Sequence, residues 1–108
     1  MKFEAVLAHC EKRVPEGSLF AAMETRGVNI KGTILKPNMV TAGSLCESQA
    51  SIADVAEMTL RCLKENVPSD LPGITFLSGG QSDLNSTANL DAMNKIGGFP
   101  WKLSFSYG

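Results

Sequence analysis

The chain has 108 residues, a formal net charge of -1 from 10 basic and 11 acidic side chains, and 6% aromatic residues. That length suits one small domain, and balanced, scattered charge with few stacking rings argues against nucleic acid as a partner. No apolar run approaches the roughly 20 residues of a membrane span, so no membrane partner is expected either.

The N-terminal stretch "MKFEAVLAHCEKR" meets charge too early to serve as a signal peptide. Cys10, Cys46 and Cys62 form an odd set without a CxxC pair, and His9 is the sole histidine. Neither a disulfide framework nor a metal-ligand spacing can be read from them. Reduced thiols in a cytoplasmic protein are expected, with Cys62 an inert member of a helical apolar face.

The elements follow in chain order. "SLFAAMETRG" places Leu19, Phe20 and Met23 at helical spacing and ends in Gly27, a natural C-cap. Residues 28–36, "VNIKGTILK", read as a strand bounded by Pro37 and Asn38. "SIADVAEMTLRCLKENVP" carries the strongest helical pattern. Ser51 and Asp54 make a capping start, Ile52, Val55, Ala56, Thr59, Cys62 and Leu63 trace one face, and Pro68 stands past the end. Residues 73–78, "GITFLS", read as a second strand. "SDLNSTANLDAMNK" reads as a helix capped by Ser82, with Leu84, Ala88, Ala92 and Lys95 on one side and Met93 close by. Residues 102–106, "KLSFS", read as a third strand, with Trp101 packing at its start.

The order is α-β-α-β-α-β. Strands separated by helices run parallel, because a parallel crossover needs a dozen or more residues. The chain is therefore placed in the α/β class, where chemistry collects at the carboxyl ends of strands. Those ends read "KPN", "SGG" and "SYG", so Lys36, the Ser78-Gly79-Gly80 turn and Ser106-Tyr107-Gly108 are expected to share one rim. Three strands cannot close a barrel, which takes roughly 250 residues in the eight-stranded case. The sequence also stops on a strand end, so a portion of a longer chain is expected, cut at both ends.

Lys36 is the first candidate for chemistry. A lysine at a strand end projects into the mouth of the sheet, where partial burial would disfavour its charged form and free the amine to attack a carbonyl. Pro37 restricts Lys36 to an extended backbone, and Asn38 is placed to hydrogen-bond in the turn. A solvated or ion-paired lysine would fit the same residue. The second candidate is "LSGGQS". Two glycines between a strand and a helix start can present backbone N–H groups and the positive helix end to an anion such as phosphate, with the Ser78 hydroxyl as a further donor. A plain tight turn would look the same. "SFSYG" repeats the theme with Ser106 and Gly108.

Together "GTILKPNMV", "PGITFLSGGQS", "ANLDAMNK" and "PWKLSFSYG" resemble the C-terminal part of the barrel of class I (Schiff-base) fructose-bisphosphate aldolases. The resemblance covers roughly residues 18–108, while residues 1–15 match poorly. It implies a partial (β/α)8 barrel, about the last three strands with their helices, as a single unit. It implies that Lys36 is the Schiff-base lysine, that Leu77, Ser78 and Gly79 close on a substrate phosphate, and that Ser106 and Gly108 lie near the same phosphate. The reaction implied is reversible cleavage of fructose 1,6-bisphosphate to dihydroxyacetone phosphate and glyceraldehyde 3-phosphate, in glycolysis and gluconeogenesis, with no cofactor and no metal. For the full-length family it implies a homo-oligomer, a tetramer.

Departures from the family pattern are specific. Ala42 stands where many members have proline, and the arginine that normally follows "SYG" is not in this sequence. The family's acid/base carboxylates belong to upstream strands, and Glu4 is not assigned to that role. The chain alone is therefore expected to be catalytically silent. Two alternatives are another lysine-dependent aldolase on a barrel and a non-catalytic phosphate-binding or interaction module derived from the same barrel.

Overall fold

The structure, a computed structural model, describes residues 15–43 and 49–108. Glu4, His9, Cys10 and Cys46 lie outside the described residues. The element order is α1 (Pro15–Thr25), one 3-10 turn (Ile30–Gly32), β1 (Ile34–Leu35), α2 (Ile52–Asn66), β2 (Gly73–Phe76), α3 (Asp83–Ile96) and β3 (Lys102–Phe105).

Local chemistry sets these boundaries. Proline is tolerated in a helix's first turn, so α1 starts at Pro15, earlier than its apolar pattern suggested. It ends at a left-handed glycine, Gly27, with the Val28 N–H returning to the Met23 carbonyl at 2.9 Å. The Ser51 hydroxyl accepts from the Asp54 N–H and the Ser82 hydroxyl from the Asn85 N–H, both at 3.1 Å, so α2 and α3 are capped as expected.

The three strands form one parallel sheet in the order β1-β2-β3. This is the α/β arrangement that the alternation of elements predicts. Ile34 pairs with Gly73, Gly73 with Lys102, Ile74 with Leu103 and Phe76 with Phe105. Side chains alternate across a strand, so Leu35, Ile74, Phe76 and Leu103 share one face. Against that face α2 and α3 pack, and Val55, Ala56, Leu60, Leu63, Leu90, Met93 and Trp101 fill the core with Ile74 and Phe76. Cys62 is buried on α2, as its apolar setting predicts, and its Sγ accepts from Asn66 Nδ2 at 3.8 Å. Trp101 is buried and its Nε1–H donates to the Pro68 carbonyl at 2.7 Å, so its role in this chain is packing.

Three expectations are corrected. The strand over residues 28–36 is reduced to Ile34–Leu35. The Gly32 and Thr33 N–H groups and the Thr33 hydroxyl turn back to Asn29 and Ile30 carbonyls, which takes their hydrogen bonds from the ladder. Ile52 is exposed, and Leu60 stands in its place on the buried face of α2. On α3 the buried side is rotated from the expected one: Leu84 is 79% exposed and Ser86, Asn89 and Leu90 are buried, while Met93 is buried and Ala92 packs against the core as expected. Polar groups face inward there because each finds a local partner. Ser86 Oγ donates to the Ser82 carbonyl at 2.6 Å, and Asn89 Nδ2 to Gln81 Oε1 at 2.7 Å.

Candidate functional site

The parallel register carries all three strand ends to one edge. Just past the strands, the Leu77 N–H donates to the Pro37 carbonyl at 3.1 Å and the Ser106 N–H to the Phe76 carbonyl at 2.9 Å. Lys36, Leu77, Ser78, Gly79, Ser106 and Gly108 therefore lie along a single rim, as their positions after strands predict.

Lys36 is exposed on this rim, between half-buried Leu35 and buried Pro37. The partial burial expected of it is not supplied by the described residues. β2 and β3 continue its face of the sheet with Gly73, Thr75, Lys102 and Ser104, and the face is uncovered: Ile34 is 63% exposed.

The 78–80 turn has the features of an anion site. Gly79 and Gly80 both take positive φ, +59° and +85°. The Gln81 N–H closes the turn on the Ser78 carbonyl at 3.1 Å, and none of the N–H groups of Ser78, Gly79 and Gly80 has a partner among the described residues. Consecutive free N–H groups before a helix N-terminus form a concavity of positive potential. The Ser78 side chain is half-buried beside them.

Two side chains bear on this turn: Gln81, which the sequence reading did not assign, and Asn38, to which it gave a different role. Gln81 Nε2 donates to the Ser78 carbonyl at 3.1 Å and reaches Met39 Sδ at 3.6 Å, while its Oε1 accepts from Asn89. Asn38 makes none of the turn hydrogen bonds expected of it. It lies instead against Gly79, where an added Cβ would overlap its Oδ1. An amide two residues after a lysine and a glutamine after a double glycine are the signals that could have been followed; neither has a periodicity.

On the other side of the turn a recess of about 690 Å3 opens between the starts of α2 and α3, lined by Thr41, Gln49, Gly79, Gln81 and Asn89 among others. Lys36 does not line it, and the recess meets the rim only through the Gly79-Gly80 turn.

At the third strand end, Phe105 and Tyr107 rings lie 5.0 Å apart. The Tyr107 hydroxyl is enclosed and has no hydrogen-bond partner among the described residues. Burial pushes its pKa above the usual tyrosine range; the nearby Ser86 and Thr87 hydroxyls oppose this and the Asp83 charge adds to it. Ser86 cannot fully relieve the phenol, because its own hydroxyl proton is committed to the Ser82 carbonyl. Among the described residues no group of three His, Cys, Asp or Glu side chains could hold a metal ion, and no helix is long and apolar enough to cross a membrane.

The family model for class-I fructose-bisphosphate aldolase matches residues 7–108. The chain belongs to the class-I fructose-bisphosphate aldolase family. A probable class 1 aldolase of Xanthomonas axonopodis pv. citri is 58% identical over 91 residues, which cover 84% of this chain and 27% of the relative. A fructose-bisphosphate aldolase of Plasmodium falciparum is 48% identical over 90 residues, 83% of this chain and 25% of that one. The fold agrees with a solved Plasmodium falciparum aldolase, crystallised in complex with TRAP and a small-molecule inhibitor. The TM-score is 0.91 at 42% identity, over 99% of this chain and 30% of that chain. This aldolase-family chain thus spans about a quarter of the length of the curated relatives it matches. The four motifs that carry the resemblance, from 32–40 to 100–108, lie within the matched residues.

Proposed function

We propose that this chain supplies the Schiff-base lysine and part of the phosphate site of a fructose-bisphosphate aldolase, acting in the cytoplasm as the closing three strands of a (β/α)8 barrel. The observation that carries the reading is the shared rim: Lys36, the unbonded N–H groups of the 78–80 turn and the 106–108 strand end on one edge of a parallel sheet.

In this reading the Lys36 amine adds to the ketone carbon of fructose 1,6-bisphosphate and water leaves, giving a cationic iminium. The bond between the third and fourth carbons breaks, its electron pair passing into the iminium to form an enamine, while the hydroxyl on the fourth carbon gives its proton to a base. Glyceraldehyde 3-phosphate departs. The enamine takes a proton, and hydrolysis releases dihydroxyacetone phosphate and the free amine. The 78–80 turn, with Leu77 behind it and Ser106 and Gly108 beside it, holds a substrate phosphate. That fixes the carbonyl against the amine. The proton transfers call on carboxylates that other parts of a full barrel would contribute.

The exposure of Lys36 favours one second reading, a phosphate-binding module without turnover. A chimera decides between them: this segment is exchanged for the matching 91 residues of the Xanthomonas axonopodis relative. The expected result is cleavage of fructose 1,6-bisphosphate, and a borohydride-trapped dihydroxyacetone phosphate adduct on Lys36 by peptide mass spectrometry. The 108-residue chain alone is expected to release no triose phosphate. An inert chimera that still binds phosphate supports the second reading. An adduct spread over Lys31, Lys64 and Lys95 removes the assignment of Lys36.

A further inference from the structure

Two segments run side by side at the rim, and they touch at three places in a regular step. The Pro37 carbonyl accepts from the Leu77 N–H, Asn38 lies on Gly79, and Met39 Sδ meets Gln81 Nε2. Residues 37, 38 and 39 thus answer to 77, 79 and 81. Pro37 and Met39 are buried, and Asn38 between them is exposed.

Asn38 is unusual in this company. Its side chain makes no hydrogen bond to the described residues, and its exposure means that core packing does not hold it. It nevertheless occupies the space that a side chain on residue 79 would need: an added Cβ would come within 3.0 Å of its Cγ and 3.3 Å of its Nδ2 and would overlap its Oδ1. At Gly80, one residue on, an added Cβ meets nothing within 4 Å. Only the first glycine of the pair is pressed from outside. Glycine has more backbone freedom than any other residue, so two in succession leave a turn whose N–H groups need not converge. Gln81 and Asn89 hold the turn from the helix side. From the lysine side the contact is Asn38.

We infer that Asn38 is a positioning residue that braces Gly79, keeping the free N–H groups of the 78–80 turn converged on phosphate at a fixed offset from Lys36, two residues away. The inference rests on the phosphate role proposed for the turn. It adds the link between that turn and the lysine: the ketone carbon and one phosphate of the substrate are held by segments that bear on each other, so a shift of one is transmitted to the other. The brace acts by bulk, since the amide makes no hydrogen bond among the described residues.

The test uses the chimera with Asn38→Gly, Asn38→Leu, Gly79→Ala and the pair Asn38→Gly/Gly79→Ala. Inorganic phosphate affinity is read by titration calorimetry, and KM and kcat are read for fructose 1,6-bisphosphate and for unphosphorylated fructose. Asn38→Gly should weaken phosphate and raise the KM of the bisphosphate about tenfold, the cost of leaving a mobile loop to be ordered on binding. Its kcat/KM for fructose and its melting temperature should stay nearly unchanged. Asn38→Leu, of similar branching, should restore most of the loss. Gly79→Ala should lose more than Asn38→Gly, and the pair should lose less than the product of the two single losses, because removing Asn38 makes room for the methyl group. Independent, multiplicative losses overturn the inference. So does an equal loss for phosphorylated and unphosphorylated ketose, or a failure of Asn38→Leu to restore binding. A chimera that binds phosphate but forms no adduct on Lys36 counts against the catalytic reading alone, because the calorimetric comparison still decides the brace.

Discussion

The two faces of the parallel sheet are built from the same three strands and differ in almost everything else. Toward α2 and α3 the central strand offers Ile74 and Phe76, both fully enclosed. On the reverse it offers Gly73 and Thr75, flanked by exposed Ile34, Lys102 and Ser104. One face is closed by apolar area, at about 25 cal/mol for each Å2 withdrawn from water. The other, apart from Ile34, carries small and polar groups and leads directly into Lys36. The contrast separates substitutions that should act on stability from those that should act on chemistry.

The largest break in that contrast is Phe76→Ala. It should cost about 3–5 kcal/mol in urea unfolding of the chain, because it empties the centre of the covered face. Ser104→Ala, on the uncovered face, should stay within about 0.5 kcal/mol. Similar costs for the two would mean that the faces are not divided in this way.

Next in size is the pair of glycines at the rim. Gly79→Val should weaken phosphorylated ligands of the chimera roughly a hundredfold, since it combines the Asn38 overlap with a left-handed φ. Gly80→Ala carries the backbone strain alone and should cost about tenfold. Equal losses for unphosphorylated analogues would indicate misfolding instead.

Trp101→Phe keeps most of the ring but leaves the Pro68 carbonyl without its 2.7 Å donor. A loss of about 1–2 kcal/mol is expected in the same unfolding experiment. A neutral result would mean that water replaces the indole.

Tyr107→Phe should have the smallest effect at neutral pH, because the hydroxyl removed is enclosed and has no partner among the described residues. Its mark is in alkali. The folded-state pKa is raised, chiefly by burial, so the unfolded chain releases this proton first. The stability contributed by the neutral phenol is complete below the unfolded value, about 10, and is lost as pH rises through the higher folded value. A flatter alkaline limb in Tyr107→Phe is the expected outcome; identical limbs in both proteins would remove the assignment.

The legible parts of the fold were those with a local chemical cause. Ser51 and Ser82 as caps, Gly27 as a stop and the parallel alternation of elements each follow from a few neighbouring residues. The rim followed from topology, since parallel strands must end together. What hydropathy could not see was partnership. Ser86 and Asn89 face inward on α3 because Ser82 and Gln81 satisfy them, and Leu84 is left outside. The 3-10 turn that shortens β1 likewise depends on which carbonyls the Gly32 and Thr33 donors reach. The contact of Asn38 with Gly79 joins residues 41 positions apart, and no short window of sequence contains both.

The sole tryptophan lies just before β3 begins, at the opposite end of the strand from the phosphate turn. A four-residue strand spans about 13 Å, far enough for an indole to be insensitive to ligand at the far edge. Its emission is therefore a clean optical gauge for this chain. It should shift to the red as urea loosens its bond to Pro68 and its stacking on Phe99, and remain flat while phosphate is titrated.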